Sequence, residues 1–262
     1  MNAASAGVVT LEMPAPHVAL VTLRRPESRN AVNGAVALEL ESIVRSTEAD
    51  PTVWAVVLTG AGGQAFSSGA DLKEVAAGRL DTLWTRDGGF AGFVRAVRVK
   101  PWIAAVDGLA LAGGFELALA CDMIVASEDA AFGLPEVTRG MVAAAGGLHR
   151  LPRAIPRAVA LELIATGERL KADRAVALGL VNRVVPKERT LPASLELAGT
   201  IARNAPLAVQ ESLVIARQAL DLDDATLGQL SAEGQKRLMG SEDFREGPRA
   251  FVEKRAPRWV GR

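Results

Sequence analysis

Two glutamates stand in surroundings where a carboxylate is unusual. Glu116 lies one turn into the apolar segment Gly114–Ala120, and Glu136 follows a proline at the end of Phe132–Glu136. A carboxylate among apolar residues is costly unless it is paired, protonated or used in a reaction. Two such groups can move protons to and from carbon and water beside a carbonyl group. For Glu136 taken alone, a surface salt bridge is an equally good interpretation.

Two loops rich in glycine and alanine run into helices near these glutamates. They are Ser67–Lys73 and Leu111–Glu116. The first backbone N–H groups of a helix have no partner within it, and two of them converging on one point would hold an oxygen that gains negative charge. Small side chains are needed there because the carbonyl group must approach the backbone itself. Close helix packing also explains small residues, and for either loop alone it is the simpler interpretation.

Other motifs carry less chemistry. Gly60–Ala65 matches a dinucleotide-binding pattern, but Phe66–Gly69 continues the loop where a helix would have to begin. The serines in that loop lack the sequence context of a nucleophile. His149 is predicted to be a solvated or capping residue, and Cys121 a small residue of the core.

The composition argues against several classes of protein. The 262 residues include 30 Lys+Arg and 30 Asp+Glu, a balance that disfavours a nucleic-acid binder. One Cys, two His and no Tyr leave no disulfide, no tyrosine acid and little room for a metal site, so we predict none. The apolar runs are too short for a membrane-spanning helix, and the absence of Lys and Arg before Arg24 disfavours a targeting peptide. We expect a cytoplasmic protein with no membrane or nucleic-acid partner.

The elements that must position these residues follow an α/β pattern. Apolar, β-branched runs predict strands at His17–Leu23, Val53–Thr59, Trp102–Val106 and Asp122–Ala126. Helical spacing predicts helices over Val36–Ala49 and Gly114–Ala120. Because strands and helices alternate up to about residue 185, we expect an α/β fold with some parallel strand pairing.

The last third of the chain has a helical pattern throughout. Amphipathic periodicity predicts helices near Leu191–Asn204, Pro206–Leu220, Ala225–Met239 and Glu242–Lys254. No low-complexity linker separates this part from the rest. We therefore predict residues 1–200 as a core that contains the active site and residues 201–262 as a helical C-terminal region.

Five segments resemble, in the same order, the crotonase superfamily of enoyl-CoA hydratases and isomerases. They are Arg25–Ala31, Ala65–Glu74, Asp107–Asp122, Phe132–Glu136 and Ala165–Pro186. The resemblance covers nearly the whole chain, and five collinear matches make it specific. It implies a crotonase-like spiral of repeated ββα units with a helical C-terminal region. It also implies that this region forms a homotrimer or a dimer of trimers.

The resemblance also assigns roles to residues. It implies that the backbone N–H groups of Ala70 and Gly113 form an oxyanion hole for a thioester carbonyl, and that Glu116 and Glu136 hold the reacting water. No cofactor is implied, because coenzyme A is part of the substrate. The residues implied to contact it are Arg25, Arg29, Ser68, Ala70, Asp71, Leu72, Lys73 and Gly113, with Lys254 as a further candidate for its phosphates.

The presence of both acids favours an enoyl-CoA hydratase, a lyase of fatty acid metabolism that converts 2-enoyl-CoA to 3-hydroxyacyl-CoA. Isomerisation of the double bond, or dehydration of a specialised substrate of the carnitinyl-CoA type, stays open because Met141–Gly147 departs from the family's usual Pro-Gly-containing stretch. Ala144 in this stretch is expected to offer a backbone N–H to the water. A non-catalytic acyl-CoA-binding protein is a third interpretation, against which the two acids argue.

Overall fold

Successive turns of the chain build two sheets at once in the computed structural model, which describes residues 7–262. The strands are β1 (Val9–Ala15), β2 (Val18–Leu23), β3 (Ala55–Gly60), β4 (Ala65–Ser67), β5 (Trp84–Thr85), β6 (Gly89–Phe90), β7 (Trp102–Val106), β8 (Leu109–Leu111), β9 (Met123–Ser127), β10 (Ala131–Gly133), β11 (Arg169–Lys171) and β12 (Arg183–Val185). The helices are α1 (Gly34–Ala49), α2 (Leu72–Ala76), α3 (Gly113–Ala120), α4 (Gly147–Ala154), α5 (Arg157–Thr166), α6 (Ala172–Ala177), α7 (Thr190–Ala202), α8 (Pro206–Ala216), α9 (Asp224–Leu238) and α10 (Glu242–Val252). Short 3₁₀ turns cover Pro26–Ser28, Leu80–Leu83, Pro135–Arg139 and Lys187–Arg189.

Each turn of the chain gives one strand to each of the two large sheets. The turns are β3–β4–α2, β7–β8–α3, and β9–β10 followed by the 3₁₀ turn Pro135–Arg139. The six-stranded sheet has the order β1-β2-β3-β7-β9-β12, and the four-stranded sheet has the order β11-β10-β8-β4. Strands β4, β8 and β10 run parallel, whereas β11 runs antiparallel to β10. The chain therefore advances as a spiral of ββα units.

The central strands are buried on both faces, which is why they read as continuous apolar runs. In β3, Val56 and Leu58 face the main core between the sheets. Ala55 and Val57 face the opposite way, where Ala198 of α7 lies in the same apolar cluster. The helix α7 thus covers the outer face of the six-stranded sheet.

The predicted elements occur with shifted ends. The strand predicted from His17 begins at Val18, because His17 has a φ of 64° and lies in the turn that follows β1. The strand β1 was not predicted, since all but the first two of its residues are exposed and no apolar alternation marks them. The helix predicted to reach Leu220 ends at Ala216. The three-residue strands β4, β8 and β10 are too short to show a period.

Of the three helices after α7, α8 and α9 pack on each other, and a polar contact at the end of α8 ties this pair to the core. Arg217, at the end of α8, donates from Nε to Oδ1 of Asp122 at 2.7 Å, and Arg237 of α9 forms an ion pair with Glu211 of α8. The predicted boundary near residue 200 and the trimer-forming role of residues 201–262 stay predictions. Residues 1–6, where the predicted core region and the targeting-peptide argument begin, lie outside the described residues. In the described part of the chain, no helix has the length and apolar character needed to cross a membrane.

Candidate active site

Three parallel strands of the four-stranded sheet end at one edge, and each is followed by a loop that carries a candidate residue. The loop after β4 leads to Ala70, the loop after β8 to Gly113, and the loop after β10 to Glu136. Leu111 and Gly133, the last residues of β8 and β10, are directly paired. Since the carboxyl ends of parallel strands lie together, the sheet gathers groups that are far apart in the sequence.

The backbone N–H groups of Ala70 and Gly113 donate to no acceptor among residues 7–262. The chain is held on either side of Ala70, because Val32 N donates to Gly69 O at 2.8 Å and Asp71 N donates to Val32 O at 2.8 Å. The N–H of Ala70 therefore points away from this bridge. Gly113 is the first residue of α3, where an N–H has no partner inside the helix.

Small residues at this end of the strands allow the surrounding backbone and side chains to pack closely. A Cβ atom on Gly69, which has a φ of 84°, would lie 2.6 Å from the backbone N of Gly113. A Cβ atom on Gly113 would lie 2.5 Å from Cε1 of Phe90. Ala112 has a φ of 52° and a ψ of −131°, a combination that residues with a side chain rarely adopt. These contacts support close packing as an explanation of the small residues, while the approach of a carbonyl group to the backbone stays a prediction.

Glu116 is held by a specific loop. It is 2% exposed, and its Oε1 accepts a hydrogen bond from the backbone N–H of Gly147 at 2.8 Å. Burial raises the pKa of Glu116 to about 7, and the negative charge of Glu136 acts in the same direction, while the N–H groups of Gly147 and Ala145 and the charge of Arg150 oppose the rise. This carboxyl group can exchange a proton near neutral pH.

Glu136 is buried but incompletely bonded. It lies in the 3₁₀ turn Pro135–Arg139, and its Oε2 has no hydrogen-bond partner among the described residues. Burial raises the pKa of Glu136, opposed by its own backbone N–H and by the positive charge of Arg139. An unbonded buried carboxylate oxygen is unfavourable unless a ligand or water completes it. Oε2 of Glu136 is therefore available to a ligand or a water molecule.

Both carboxyl groups and both loops line one cavity of about 750 Å³. Its apolar part includes Trp84 and Phe90, whose rings meet edge to face with centroids 5.6 Å apart. Of the residues predicted to contact coenzyme A, the cavity is lined by Arg29, Ser68, Ala70, Asp71, Leu72, Lys73 and Gly113. The cavity thus joins the predicted coenzyme A loop to the two acids, while the roles of these residues stay predictions.

Arg25 and Lys254 are outside the lining of this cavity. The guanidinium group of Arg25 donates to Ala31 O at 2.6 Å and to Asp71 Oδ2 at 3.0 Å. Asp71 also accepts from Lys73 N at 3.0 Å, so its side chain caps α2 and ties two loops together. The contact of Arg25 with coenzyme A stays a prediction, whereas its bonds to Ala31 and Asp71 give it a structural role.

The N–H of Ala144, in the loop Met141–Gly147, was expected to be free but already donates a hydrogen bond. The N–H of Ala144 donates to Val142 O at 2.9 Å, so the expectation that it is free to hold the water is wrong for this structure. A tight local turn from Val142 to Ala144 uses this N–H in a backbone hydrogen bond. In the same loop, Gly147 instead uses its N–H to hold Glu116.

The weaker sequence candidates take part in hydrogen bonds or burial within the fold. In the dinucleotide-like loop, the side-chain amide of Asn30 donates to Ala61 O at 2.9 Å and to Ala65 O at 2.7 Å, which fills the loop. Ser67 donates to Asn30 O at 2.8 Å. Burial raises the pKa of Cys121 to about 12. Among residues 7–262, no three His, Cys, Asp or Glu side chains are placed to hold a metal ion.

A sequence model described as enoyl-CoA hydratase/isomerase matches residues 15–262. The chain belongs to this family. An enoyl-CoA hydratase structure from Mycobacterium tuberculosis H37Rv is similar, with a TM-score of 0.93 and 42% identity, over 98% of this chain and 100% of that chain. The match confirms the crotonase-like fold expected from the resemblance.

Other members of the enoyl-CoA hydratase/isomerase family that resemble this chain carry different names. A mevalonyl-coenzyme A hydratase of Aspergillus fumigatus is 40% identical over 95% of this chain and 93% of its own length. A carnitinyl-CoA dehydratase of Proteus mirabilis is 40% identical over 92% of this chain and 94% of its own length. The chain is thus an enzyme of the hydratase/dehydratase type, and an acyl-CoA thioester substrate is consistent with its family.

Two arginines that line the cavity of this family member, and one beside it, were not anticipated. Arg150 donates to Ala145 O at 3.0 Å and to Val94 O at 2.6 Å, so it fixes the loop that holds Glu116. Arg139 and Arg169 line the cavity itself. Only Arg139 had a sequence signal, because it follows Glu136 by three residues in a turn. Arg169 is brought to the cavity by the pairing of β11 with β10, and Arg150 acts from outside it through its bonds to Ala145 and Val94.

Proposed function

We propose that the protein reversibly adds water to the double bond of a 2-enoyl-CoA thioester and forms 3-hydroxyacyl-CoA. The observation that carries this proposal is one cavity containing two buried carboxyl groups, one held and one with an unbonded oxygen. Membership of the enoyl-CoA hydratase/isomerase family supports it. The reaction is a lyase reaction when run toward the enoyl thioester.

In this proposal, the N–H groups of Ala70 and Gly113 bind the thioester oxygen. When the water oxygen attacks C3, the π electrons of the C2–C3 bond move toward the carbonyl and leave negative charge on that oxygen. One oxyanion-hole donor is typically worth about 3–4 kcal/mol in the transition state. Two free N–H groups at the junction of two loops fit this role without any charged side chain.

The two carboxyl groups together gain one proton from the water and give one proton to the substrate. One carboxylate takes a proton from the attacking water while the other, protonated, gives a proton to C2, so the carbonyl group re-forms. Burial raises the pKa of both Glu116 and Glu136, and the charge of Glu136 raises the pKa of Glu116. Glu116 can therefore carry the proton near neutral pH in this proposal.

The reaction is redox-neutral, so we propose that no nicotinamide, flavin or metal ion takes part, and that coenzyme A enters as part of the substrate. We also propose a cytoplasmic homotrimer or dimer of trimers. Arg29, Ser68, Asp71, Leu72 and Lys73 are proposed to contact coenzyme A, which is consistent with their position on one side of the cavity.

Dehydration of a hydroxylated acyl-CoA is the second candidate, because one relative at 40% identity is named carnitinyl-CoA dehydratase. It uses the same groups in the reverse direction. Isomerisation differs, since it moves a proton and a double bond without adding water.

The test is an assay with crotonyl-CoA in water enriched in heavy oxygen, with the product examined by mass spectrometry. Hydration predicts a 3-hydroxy product that carries the heavy oxygen, and isomerisation predicts none. Glu116→Gln and Glu136→Gln should each lower kcat by about 10²–10⁴-fold. Glu128→Gln, an exposed glutamate away from the cavity, serves as the matched control. Full hydration by the Glu136→Gln variant would refute the two-acid mechanism.

A further inference from the structure

The charged residues of the cavity fall on two sides of the reacting groups. In the four-stranded sheet, β4 lies at one edge and β11 at the other. Arg29 and Lys73 line the cavity on the β4 side, where the proposed coenzyme A loop lies. Arg169 is the first residue of β11, and it pairs with Gly133 at the end of β10. Because β11 is antiparallel to β10, its first residue lies beside the carboxyl end of β10, where the loops with the two acids and the two N–H groups also lie.

Arg139 joins Arg169 on this far side. It ends the 3₁₀ turn that begins at Pro135, and its charge acts on Glu136. Both guanidinium groups belong to exposed residues in the lining, and neither enters an ion pair or a side-chain hydrogen bond among residues 7–262. Within the described part of the chain, the cavity therefore has two guanidinium groups without partners on its β11 side, opposite the proposed coenzyme A loop.

No spare carboxylate offsets this charge. The acidic residues of the lining are Glu27, Asp71, Glu116 and Glu136. Glu27 and Asp71 belong to the coenzyme A side, where Asp71 forms an ion pair with Arg25 at 3.0 Å. The other two are the reacting acids. An acyl group with a terminal cation would meet two guanidinium groups, whereas a terminal carboxylate would find two donors suited to it.

The aromatic pair in the cavity does not offer a free cation site either. Trp84 and Phe90 could face a quaternary ammonium group through their rings. However, the guanidinium group of Arg95 already lies 5.5 Å from the centroid of Trp84. A substrate ammonium at that ring would be close to a further positive charge.

We propose that Arg139 and Arg169 bind the terminal carboxylate of an acidic 2-enoyl-CoA and disfavour acyl groups that end in a quaternary ammonium. This inference rests on the proposed hydration activity. It names an anionic acyl group as the substrate class, and it separates this chain from the cationic acyl group that the name carnitinyl-CoA dehydratase implies for a relative.

The test compares kcat/KM for three thioesters: crotonyl-CoA, 4-carboxybut-2-enoyl-CoA and 4-trimethylammoniobut-2-enoyl-CoA. In the wild type we expect the carboxylated ester to exceed the neutral ester by about tenfold, a ratio that corresponds to about 1.4 kcal/mol, and the ammonium ester to fall below the neutral one. The double variant Arg139→Gln/Arg169→Gln should bring the three values close together. The double lysine variant should restore part of the preference, since it keeps the charge but loses the paired donors.

Arg157→Gln is the matched control, because Arg157 is exposed and outside the cavity lining. Circular dichroism checks that each variant is folded. If the wild type hydrates crotonyl-CoA but shows no preference for the carboxylated ester, or keeps its preference in the double glutamine variant, this inference is wrong and the proposed function stands. If the wild type hydrates none of the three esters, the proposed function itself fails.

Discussion

The backbone N–H of Gly147 donates to Oε1 of Glu116 at 2.8 Å, which joins the first turn of α4 to the first turn of α3. The loop before Gly147 is in turn fixed by Arg150, whose guanidinium group bonds the carbonyl oxygens of Ala145 and Val94. The position and the protonation of Glu116 thus depend on a side chain that is outside the lining of the cavity.

Replacing Arg150 by Met should weaken catalysis without removing a reacting group. The positive charge of Arg150 lowers the pKa of Glu116, so its loss should raise that pKa and shift the pH dependence of kcat/KM for crotonyl-CoA to higher pH. We expect kcat to fall by about tenfold, since mispositioning a proton-transfer group forfeits part of its 10²–10⁴-fold contribution. Arg150→Lys should keep more of the pH profile than of kcat.

Arg153→Met is the control for this variant. Arg153 lies on the same helix and forms an exposed ion pair with Asp221 at 2.6 Å. An equal shift of the pH profile in both variants would mean that the general loss of positive charge, and not the charge of Arg150 close to Glu116, is the cause.

Stability should fall as the pH rises through the range where Glu116 titrates. Burial raises the pKa of Glu116 from 4.5 to about 7. Below the lower value the group is protonated in both the folded and the unfolded chain and has no effect. Above it the unfolded chain ionises first, so folding loses roughly 3 kcal/mol by the time the pH passes the higher value.

Urea unfolding at pH 5 and pH 8 measures this effect as a difference between Glu116→Gln and the wild type. The variant should gain relative stability at pH 8, because it has no carboxylate to ionise. Glu128→Gln should show no such gain, since Glu128 is exposed. A difference between Glu116→Gln and the wild type that is equal at both pH values would contradict the burial of an ionisable carboxyl group.

Ala112→Gly should stabilise the protein. Ala112 has a φ of 52° and a ψ of −131°, which glycine adopts more easily than alanine. Strain of this kind amounts to about 1–3 kcal/mol, although glycine also loses more freedom on folding, so we expect a net gain of about 1 kcal/mol. Thermal unfolding would detect it as a higher Tm. A lower Tm would show that the alanine methyl group packs well enough to outweigh the strain.

Gly113→Ala should have the opposite result and should also lower activity. The added Cβ would lie 2.5 Å from Cε1 of Phe90, so the ring or the start of α3 must move. Displacing one N–H donor from its position should lower kcat by about 10²–10³-fold. Gly199→Ala is the control, because a Cβ atom there meets nothing within 4 Å.

The second variant Gly113→Ala/Phe90→Leu tests the cause of that loss. A smaller side chain at position 90 removes the ring atoms that collide with the new methyl group. Partial recovery of kcat would identify the collision as the reason. If activity stayed as low as in the single variant, the methyl group would have to act directly on the substrate.

The sequence was most informative where patterns are local. The buried strand β7 has the predicted bounds, and the glycine-rich start of α3 differs by one residue. The loops with Ala70, Gly113 and both glutamates do line one cavity. Arg150 was out of reach, because bonding to the carbonyl of Val94, 56 residues away, leaves no periodic signal. The position of Arg169 depends on the antiparallel pairing of β11 with β10. A strand of three residues is too short to be predicted from a sequence pattern.

The spiral arrangement sets the order in which the parts of the site occur along the chain. The loop with Ala70 comes from one turn of the spiral, the loop with Gly113 and Glu116 from the next, and Glu136 from a third. The first two of these turns contain both N–H groups, whereas Glu136 and the Gly147 N–H that holds Glu116 come later in the chain. The groups proposed to bind the thioester oxygen thus come from earlier parts of the chain than the full pair of acids proposed for turnover.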